Sequence, residues 1–291
     1  LKDESNHRNR ESLLVRLRNL ARFFLLSILL GGCGSDYFKS PLQLAENVAH
    51  HANMEKQVFR AGDFVLTSFL RVSKARDDLL TVYIEGDGNA WLDQNRVSPD
   101  PTPLNPYTLR LATRHPPGNA LYIARPCQYL TEAELSVCHP KYWITHRYAS
   151  NVVQAIGRVI DRVKETIGAR KISLVGYSGG GVIAALLAGK RQDVSTLITI
   201  SSNLDHKLWT RRDKLTPLDG SMNPVEYVLD IQRIPQIHFA GARDDVVAPE
   251  IVRSFVSHMT DTRNTRVVVL ENFDHDCCWV KNWPALLEQY K

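Results

Sequence analysis

The sequence predicts an α/β fold with a mostly parallel central sheet flanked by helices on both faces. Three observations carry that expectation. From residue 64 onward, short apolar runs alternate with longer amphipathic stretches, and alternating β and α segments imply parallel strands joined by crossover helices. The run Val194-Ser195-Thr196-Leu197-Ile198-Thr199-Ile200 is almost wholly apolar or β-branched, as a strand covered on both faces should be. Finally, Gly176-Tyr177-Ser178-Gly179-Gly180 stands between the apolar runs 172–175 and 182–188, the strand–turn–helix setting of a nucleophile elbow.

The elements follow in order. Residues 1–32 read as a signal peptide of the lipoprotein type. Six basic residues (Lys2, Arg8, Arg10, Arg16, Arg18, Arg22) against Asp3, Glu4 and Glu11 leave this segment at +3. The apolar run Phe23 to Leu30 then ends in Gly31-Gly32, giving the basic, apolar and small-residue regions of a secretory leader. The run is far shorter than the roughly 20 residues of a spanning helix. Leu30-Gly31-Gly32-Cys33 resembles a bacterial lipobox. That resemblance implies cleavage before Cys33 and acylation of its thiol. With Gly34 after it rather than Asp, it also implies an outer-membrane lipoprotein of the cell envelope, facing the periplasm.

Residues 33–57 read as a tether plus a short helix, with Leu42, Leu44, Ala45, Val48 and Ala49 as its apolar positions. Residues 58–291 form the α/β domain. In it, 64–70 and 79–84 read as strands parted by a charged turn. Pro99, Pro101, Pro103 and Pro106 mark 93–106 as an irregular loop. Asn105 is expected to cap a helix with Pro106 at its first position. A strand at 120–124 precedes an amphipathic helix over 148–167, with Val152, Val153, Ile156, Val159, Ile160, Val163 and Ile167 on one face. After the elbow come strands at 194–200, 235–241 and 265–270, a helix between the last two, and a terminal helix from Trp283 to Tyr290. The 33 residues of 202–234 leave no room for a large helical lid, so a small or absent lid is expected.

The 291 residues, 44% of them apolar, suffice for one substantial core. The net charge is +5, of which +3 lies in the leader. No dense basic stripe with interleaved aromatics occurs, which argues against nucleic-acid binding. Beyond Cys33 the cysteines are Cys127, Cys138, Cys277 and Cys278. In an exported chain they are disulfide candidates. Cys127 with Cys138, bracketing a short polar loop, is the favoured pair. Cys277-Cys278 could bridge, stay reduced or pair elsewhere. No C-x-x-C or spaced His/Cys set suggests zinc, and no metal or organic cofactor is expected.

A serine hydroxyl is a poor nucleophile until a base takes its proton and a carboxylate orients the base. Ser178 is followed by Gly241-Ala242-Arg243-Asp244-Asp245-Val246-Val247 and then by Asn272-Phe273-Asp274-His275-Asp276. Each group lies just after a predicted strand, where the sites of open parallel sheets gather. In these motifs the chain resembles the α/β-hydrolase superfamily over roughly residues 60–291. Gly241-x-x-Asp244-x-x-Val247 matches its acid loop and Asp274-His275 its histidine loop. More narrowly, Glu85-Gly86-Asp87-Gly88-Asn89-Ala90-Trp91, Ala124-Arg125-Pro126-Cys127 and Asp274 to Trp279 resemble a group of bacterial lipobox-bearing α/β-hydrolases.

The superfamily resemblance implies Ser178 as nucleophile, His275 as base and Asp244 as orienting acid, with Asp245 and Asp205 as rival acids. It places oxyanion-binding amides at Asp87 and Gly179, and substrate contacts at Gly86, Gly88 and Tyr177. An acidic Asp87 side chain would then have to point away from the developing charge. Trp209, Trp279 and Trp283 either line a pocket or pack as core or rim, and the 203–206 turn is by default a surface loop that could touch substrate. The expected function is hydrolysis of a carboxylic ester, thioester or amide through an acyl-enzyme. An amidase or peptidase with the same triad, acyl transfer to another acceptor, and a lipid-anchored non-catalytic envelope binding protein are the alternatives. The expected partners are a small-molecule or acyl substrate and, through the leader, a membrane.

Overall fold

Two apolar faces of one sheet, each covered by helices, organise the chain. The computed structural model describes residues 40–93 and 95–290, so residues 1–32, read above as a signal peptide, and Cys33 lie outside the described residues. The elements run α1 (Pro41–His50), β1 (Glu55–Ala61), β2 (Phe64–Arg71), β3 (Leu79–Ile84), β4 (Trp91–Asp93), β5 (Arg96–Val97), α2 (Tyr107–Thr113), β6 (Asn119–Ile123), α3 (Glu132–Leu135) and α4 (Ser150–Ile167). They continue with β7 (Lys171–Tyr177), α5 (Gly179–Lys190), β8 (Val194–Ile200), α6 (His206–Arg212), α7 (Val228–Ile231), β9 (Gln236–Gly241), α8 (Pro249–Ser257), β10 (Thr265–Leu270) and α9 (Trp279–Gln289).

Eight strands form the main sheet in the order β1-β2-β6-β3-β7-β8-β9-β10. β2 runs antiparallel to β1 and β6, and the pairs from β6 to β10 are parallel. The carboxyl ends of β3, β7, β9 and β10 therefore open on one edge. On one face α4 buries Val152, Val153, Ile156, Val159, Ile160 and Val163, and Gly168 stops it in the left-handed region at φ 71°. The first ten residues of α5, Gly179 to Ala188, are all buried, as a helix apolar all round must be. On the other face, Ala45 and Ala49 of α1, Leu109 and Leu111 of α2, and Trp279, Trp283 and Leu286 of α9 share a second core. Trp279 and Trp283 are fully buried, so both rings are core.

Some elements differ from expectation. β1 was not foreseen, and a domain start at 58 falls inside it. Its residues Glu55-Lys56-Gln57-Val58-Phe59-Arg60 are mostly exposed or half-buried, because an edge strand carries charge and shows little apolar alternation. The loop from 93 to 106 opens with a hairpin of β4 and β5. Asp93 closes it by accepting from the N–H groups of Asn95 and Arg96, ahead of the first proline. Asn105 is no side-chain cap for α2. Pro106 takes the N-cap place at ψ 71°, and the Tyr107 N–H donates to the Asn105 carbonyl. α9 starts at Trp279, with Pro284 inside it; a proline reads as a helix start, which hid the preceding turn. Between β8 and β9 the described residues form only α6, a 3-10 turn (Pro224–Tyr227) and α7.

His238 lies fully buried in β9, between the Thr199 hydroxyl (2.8 Å from Nδ1) and the Gln236 side-chain oxygen (2.9 Å from Nε2). Burial lowers its pKa to about 3 from an ordinary 6.5. The unfolded chain therefore takes up a proton below pH 6.5 that the folded chain refuses. The stability this contributes is complete above pH 6.5 and is lost as pH falls toward 3, by up to about 1.4 kcal/mol per pH unit. In urea titrations at pH 7, 6, 5 and 4, His238→Gln should show a shallower acid decline than wild type, whatever its stability at pH 7.

Candidate active site

The elbow is built from the absence of side chains. Ser178 turns between β7 and α5 at φ 51°, ψ −127°, a backbone conformation that only crowded surroundings can hold in place. A methyl group on Gly176 would sit 2.3 Å from the Gly180 carbonyl oxygen, and one on Gly180 would sit 2.1 Å from the Ile84 carbonyl oxygen. The turn thus presses against the end of β3 and lifts Ser178 to the sheet edge.

Ser178 meets the two other groups there. His275, on the loop after β10, places Nε2 3.2 Å from the Ser178 Oγ. Its Nδ1 lies 3.0 and 3.1 Å from the two carboxylate oxygens of Asp244, whose side chain is fully buried. Asp244 Oδ1 also accepts from the N–H groups of Val246 and Val247 at 3.0 and 2.7 Å, so the loop after β9 fixes the carboxylate. Gly241 gives the His275 loop room, since a methyl group there would lie 2.4 Å from the Phe273 carbonyl oxygen. The rival acids lie elsewhere. Asp245 is exposed. Asp205 caps α6 through the Leu208 N–H and accepts from Ser254 (2.7 Å) and Asn223 (3.2 Å). The 203–206 turn is no surface loop: all four residues are buried, because Asn203 donates to the Tyr148 hydroxyl and Asp205 is tied to α6 and Asn223.

Tyr177 positions the histidine loop. Its hydroxyl donates to the His275 carbonyl (3.0 Å) and reaches Asp276 Oδ1 (2.8 Å), and its ring stacks on Tyr107 with centroids 4.7 Å apart. Trp279 Nε1 donates to the carbonyls of Asp274 and His275. The neighbours Cys277 and Cys278 are joined, as are Cys127 and Cys138, whose Cα atoms lie 5.9 Å apart.

The loop after β3 carries Glu85 to Gly88 along the other side of Ser178. Gly86 packs on it, a methyl there lying 3.4 Å from the Ser178 Cβ. The Asp87 carboxylate does point into protein. It pairs with Arg147 at 2.7 Å and Arg125 at 3.1 Å and accepts from the Tyr148 hydroxyl at 2.8 Å. Burial would raise the Asp87 pKa, but the two guanidiniums outweigh it and hold the carboxyl below its ordinary range. Its Oδ1 comes within 2.1 Å of where a Gly179 methyl would be. Glu85 is buried beside it. Desolvation raises its pKa, although it accepts from Thr108, the Gly86 N–H and Tyr122. Gly88 sits at φ 68°, where a methyl would lie 2.1 Å from the Pro101 carbonyl oxygen, so its conformation is a packing requirement.

These groups surround a cleft of about 1110 Å³ lined by Gly86, Asp87, Gly88, Tyr177, Ser178 and His275, with Trp91, Tyr107, Trp209 and Leu215 among its walls. Trp209 also donates to the Val246 carbonyl. Arg125, Gln128, Arg147, Tyr148 and Asp276 were not singled out from the sequence. Only Arg125 and Asp276 lie within quoted motifs. An arrangement of this kind can take a proton from a hydroxyl, store it on a ring and stabilise the ring's charge.

Residues 126–275 match the family model described as Serine hydrolase (FSH1). The chain belongs to this serine hydrolase family. The matched span contains Ser178 and Asp244 and ends on His275. Solved α/β-hydrolase structures share its fold. Est1E from Butyrivibrio proteoclasticus superposes with a TM-score of 0.57 at 12% identity, over 81% of this chain and 96% of its own. An esterase from Pyrococcus furiosus gives 0.55 at 13% identity, over 81% and 90%. The Pyrococcus horikoshii acylaminoacyl peptidase gives 0.60 at 12% identity over 82% of this chain, which spans only 40% of that larger protein. None of the curated protein sequences compared with the chain is similar to it. For this serine hydrolase, Gly180→Ala should cost about 3 kcal/mol or more by forcing a methyl into the β3 backbone. Its thermal midpoint, against that of wild type, measures the loss.

Proposed function

We propose that this serine hydrolase cleaves a carboxylic ester, or the related thioester or amide, through a Ser178–His275–Asp244 triad. The observation that carries the reading is the unbroken hydrogen-bonded path from the Ser178 hydroxyl through both nitrogens of His275 to the buried Asp244. In this mechanism Ser178 Oγ attacks the acyl carbon while His275 Nε2 takes its proton. The oxyanion of the tetrahedral intermediate accepts from the N–H groups of Asp87 and Gly179. His275 passes the proton to the departing alcohol, thiol or amine, leaving an acyl-enzyme. Water, deprotonated by the same ring, then releases the acid. Asp244 holds the tautomer with Nδ1 protonated and stabilises the imidazolium. The open cleft, without a large lid among the described residues, favours a substrate that enters from the side, with its acyl group between aromatic walls.

Wild type should be labelled by a fluorophosphonate probe and hydrolyse p-nitrophenyl esters, whereas folded Ser178→Ala should do neither. Asp244→Asn should lower kcat by about 10⁴ by favouring the wrong tautomer, with Asp205→Asn and Asp245→Asn staying within a few-fold of wild type. If Asp205→Asn or Asp245→Asn causes the collapse in its place, the acid is misassigned.

The leader belongs to the same proposal. We infer that Cys33 is acylated and holds the hydrolase on the periplasmic side of a bacterial envelope. Cells fed radiolabelled palmitate should label the wild-type protein and not Cys33→Ser. Equal labelling of the two would refute the anchor.

A further inference from the structure

Gln128 lies behind the Glu85–Gly88 loop, 1% exposed, and its amide orientation follows from its partners. Oε1 accepts from the Arg125 N–H at 3.0 Å, and Nε2 donates to the Gly86 carbonyl at 3.1 Å and the Pro101 carbonyl at 3.4 Å. A backbone N–H can only donate and a carbonyl only accept, so the amide cannot be reversed. The Gly86–Asp87 peptide is trans, and in a trans peptide the C=O and N–H point in opposite directions. Drawing the Gly86 carbonyl toward Gln128 therefore turns the Asp87 N–H away from Gln128, in a loop whose Gly86 packs against Ser178.

The rest of the loop is tied on both sides of this peptide. The Gly86 N–H is held by Glu85 Oε1 at 2.9 Å and the Asn89 N–H by the Pro101 carbonyl at 3.0 Å. The Asp87 side chain is anchored by Arg125, Arg147 and Tyr148. Among the described residues the Asp87 N–H meets no acceptor. The Gly179 N–H opens α5, where the first N–H groups of a helix have no intrahelical acceptor.

We propose that Gln128 is a positioning residue for the reaction: by holding the Gly86 carbonyl it aims the Asp87 N–H at the oxyanion beside Ser178. The inference rests on the hydrolase reading given above. Because it acts on an interaction that strengthens in the transition state, its loss should lower kcat and leave ground-state binding nearly unchanged.

The test compares wild type, Gln128→Leu and Gln128→Glu in p-nitrophenyl butyrate hydrolysis, with thermal midpoints establishing that each is folded. Gln128→Leu should lower kcat on the order of 10- to 100-fold, part of the loss typical when an oxyanion donor is removed, with KM within about twofold. An alkyl trifluoromethyl ketone, whose adduct carries the oxyanion, should bind more weakly by the same factor. Gln128→Glu supplies a reading that a loss of packing cannot. Protonated, its hydroxyl can donate to the Gly86 carbonyl as the amide does; ionised, it sets a carboxylate against two carbonyl oxygens. Burial raises the pKa of such a carboxyl, so the ratio of variant to wild-type kcat should climb about fivefold or more from pH 8 to pH 6. If Gln128→Leu keeps its kcat, if the ketone binds it as tightly as wild type, or if the Gln128→Glu ratio is flat with pH, the inference is wrong. A wild type that hydrolyses no acyl ester would remove the hydrolase reading itself, a result distinct from an active wild type with an unimpaired Gln128→Leu.

Discussion

The close approach of the elbow to the end of β3 sets the geometry of everything around it. With no side chain on Gly180, the first turn of α5 comes to rest against the Ile84 carbonyl. β3 and β7 are hydrogen-bonded neighbours up to Ile84 and Gly176, so the loop after β3 emerges beside Ser178. One contact between backbones thus places two loops, 85–88 and the elbow, on opposite sides of the same small space. Larger residues at Gly176 or Gly180 would separate them and leave the serine without its neighbours.

Charge around that space is arranged in two buried layers. Asp244 faces His275 and is held by backbone N–H groups of its own loop, so its charge is available to the ring. Asp87 is committed instead to Arg125 and Arg147. A lone buried carboxylate at that point would oppose any negative charge forming by Ser178; paired with two guanidiniums, it leaves a local excess of positive charge. Removing one arginine would leave a buried charge poorly compensated, a costly change in any protein interior.

Much of the fold was legible in the sequence because its strands are short, apolar and regularly separated. Val194–Ile200 and Thr265–Leu270 were read with the limits they have in the structure. The meeting of Ser178, Asp244 and His275 was legible too, since motif and strand end coincide at each. β1 was hidden by its exposure at the sheet edge. The partners of Asp87 were hidden for a different reason. Arg125, Arg147 and Tyr148 lie 38, 60 and 61 residues away in the chain; Arg125 falls in a quoted motif that says nothing of its partner, and nothing in the local sequence of Arg147 or Tyr148 distinguishes them from a surface arginine or a core tyrosine. Such contacts are created only when separate loops converge.

The indole of Trp279 ties α9 to the loop that carries His275. Its ring is in the core with Phe239 and Phe273, while its N–H holds the carbonyls of Asp274 and His275. The terminal helix is therefore a strut for the imidazole. Loosening of α9 at Trp279 would free the carbonyls of Asp274 and His275 while β7, β8 and β9 stay paired, so the loop that carries His275 can be disturbed without unfolding the sheet.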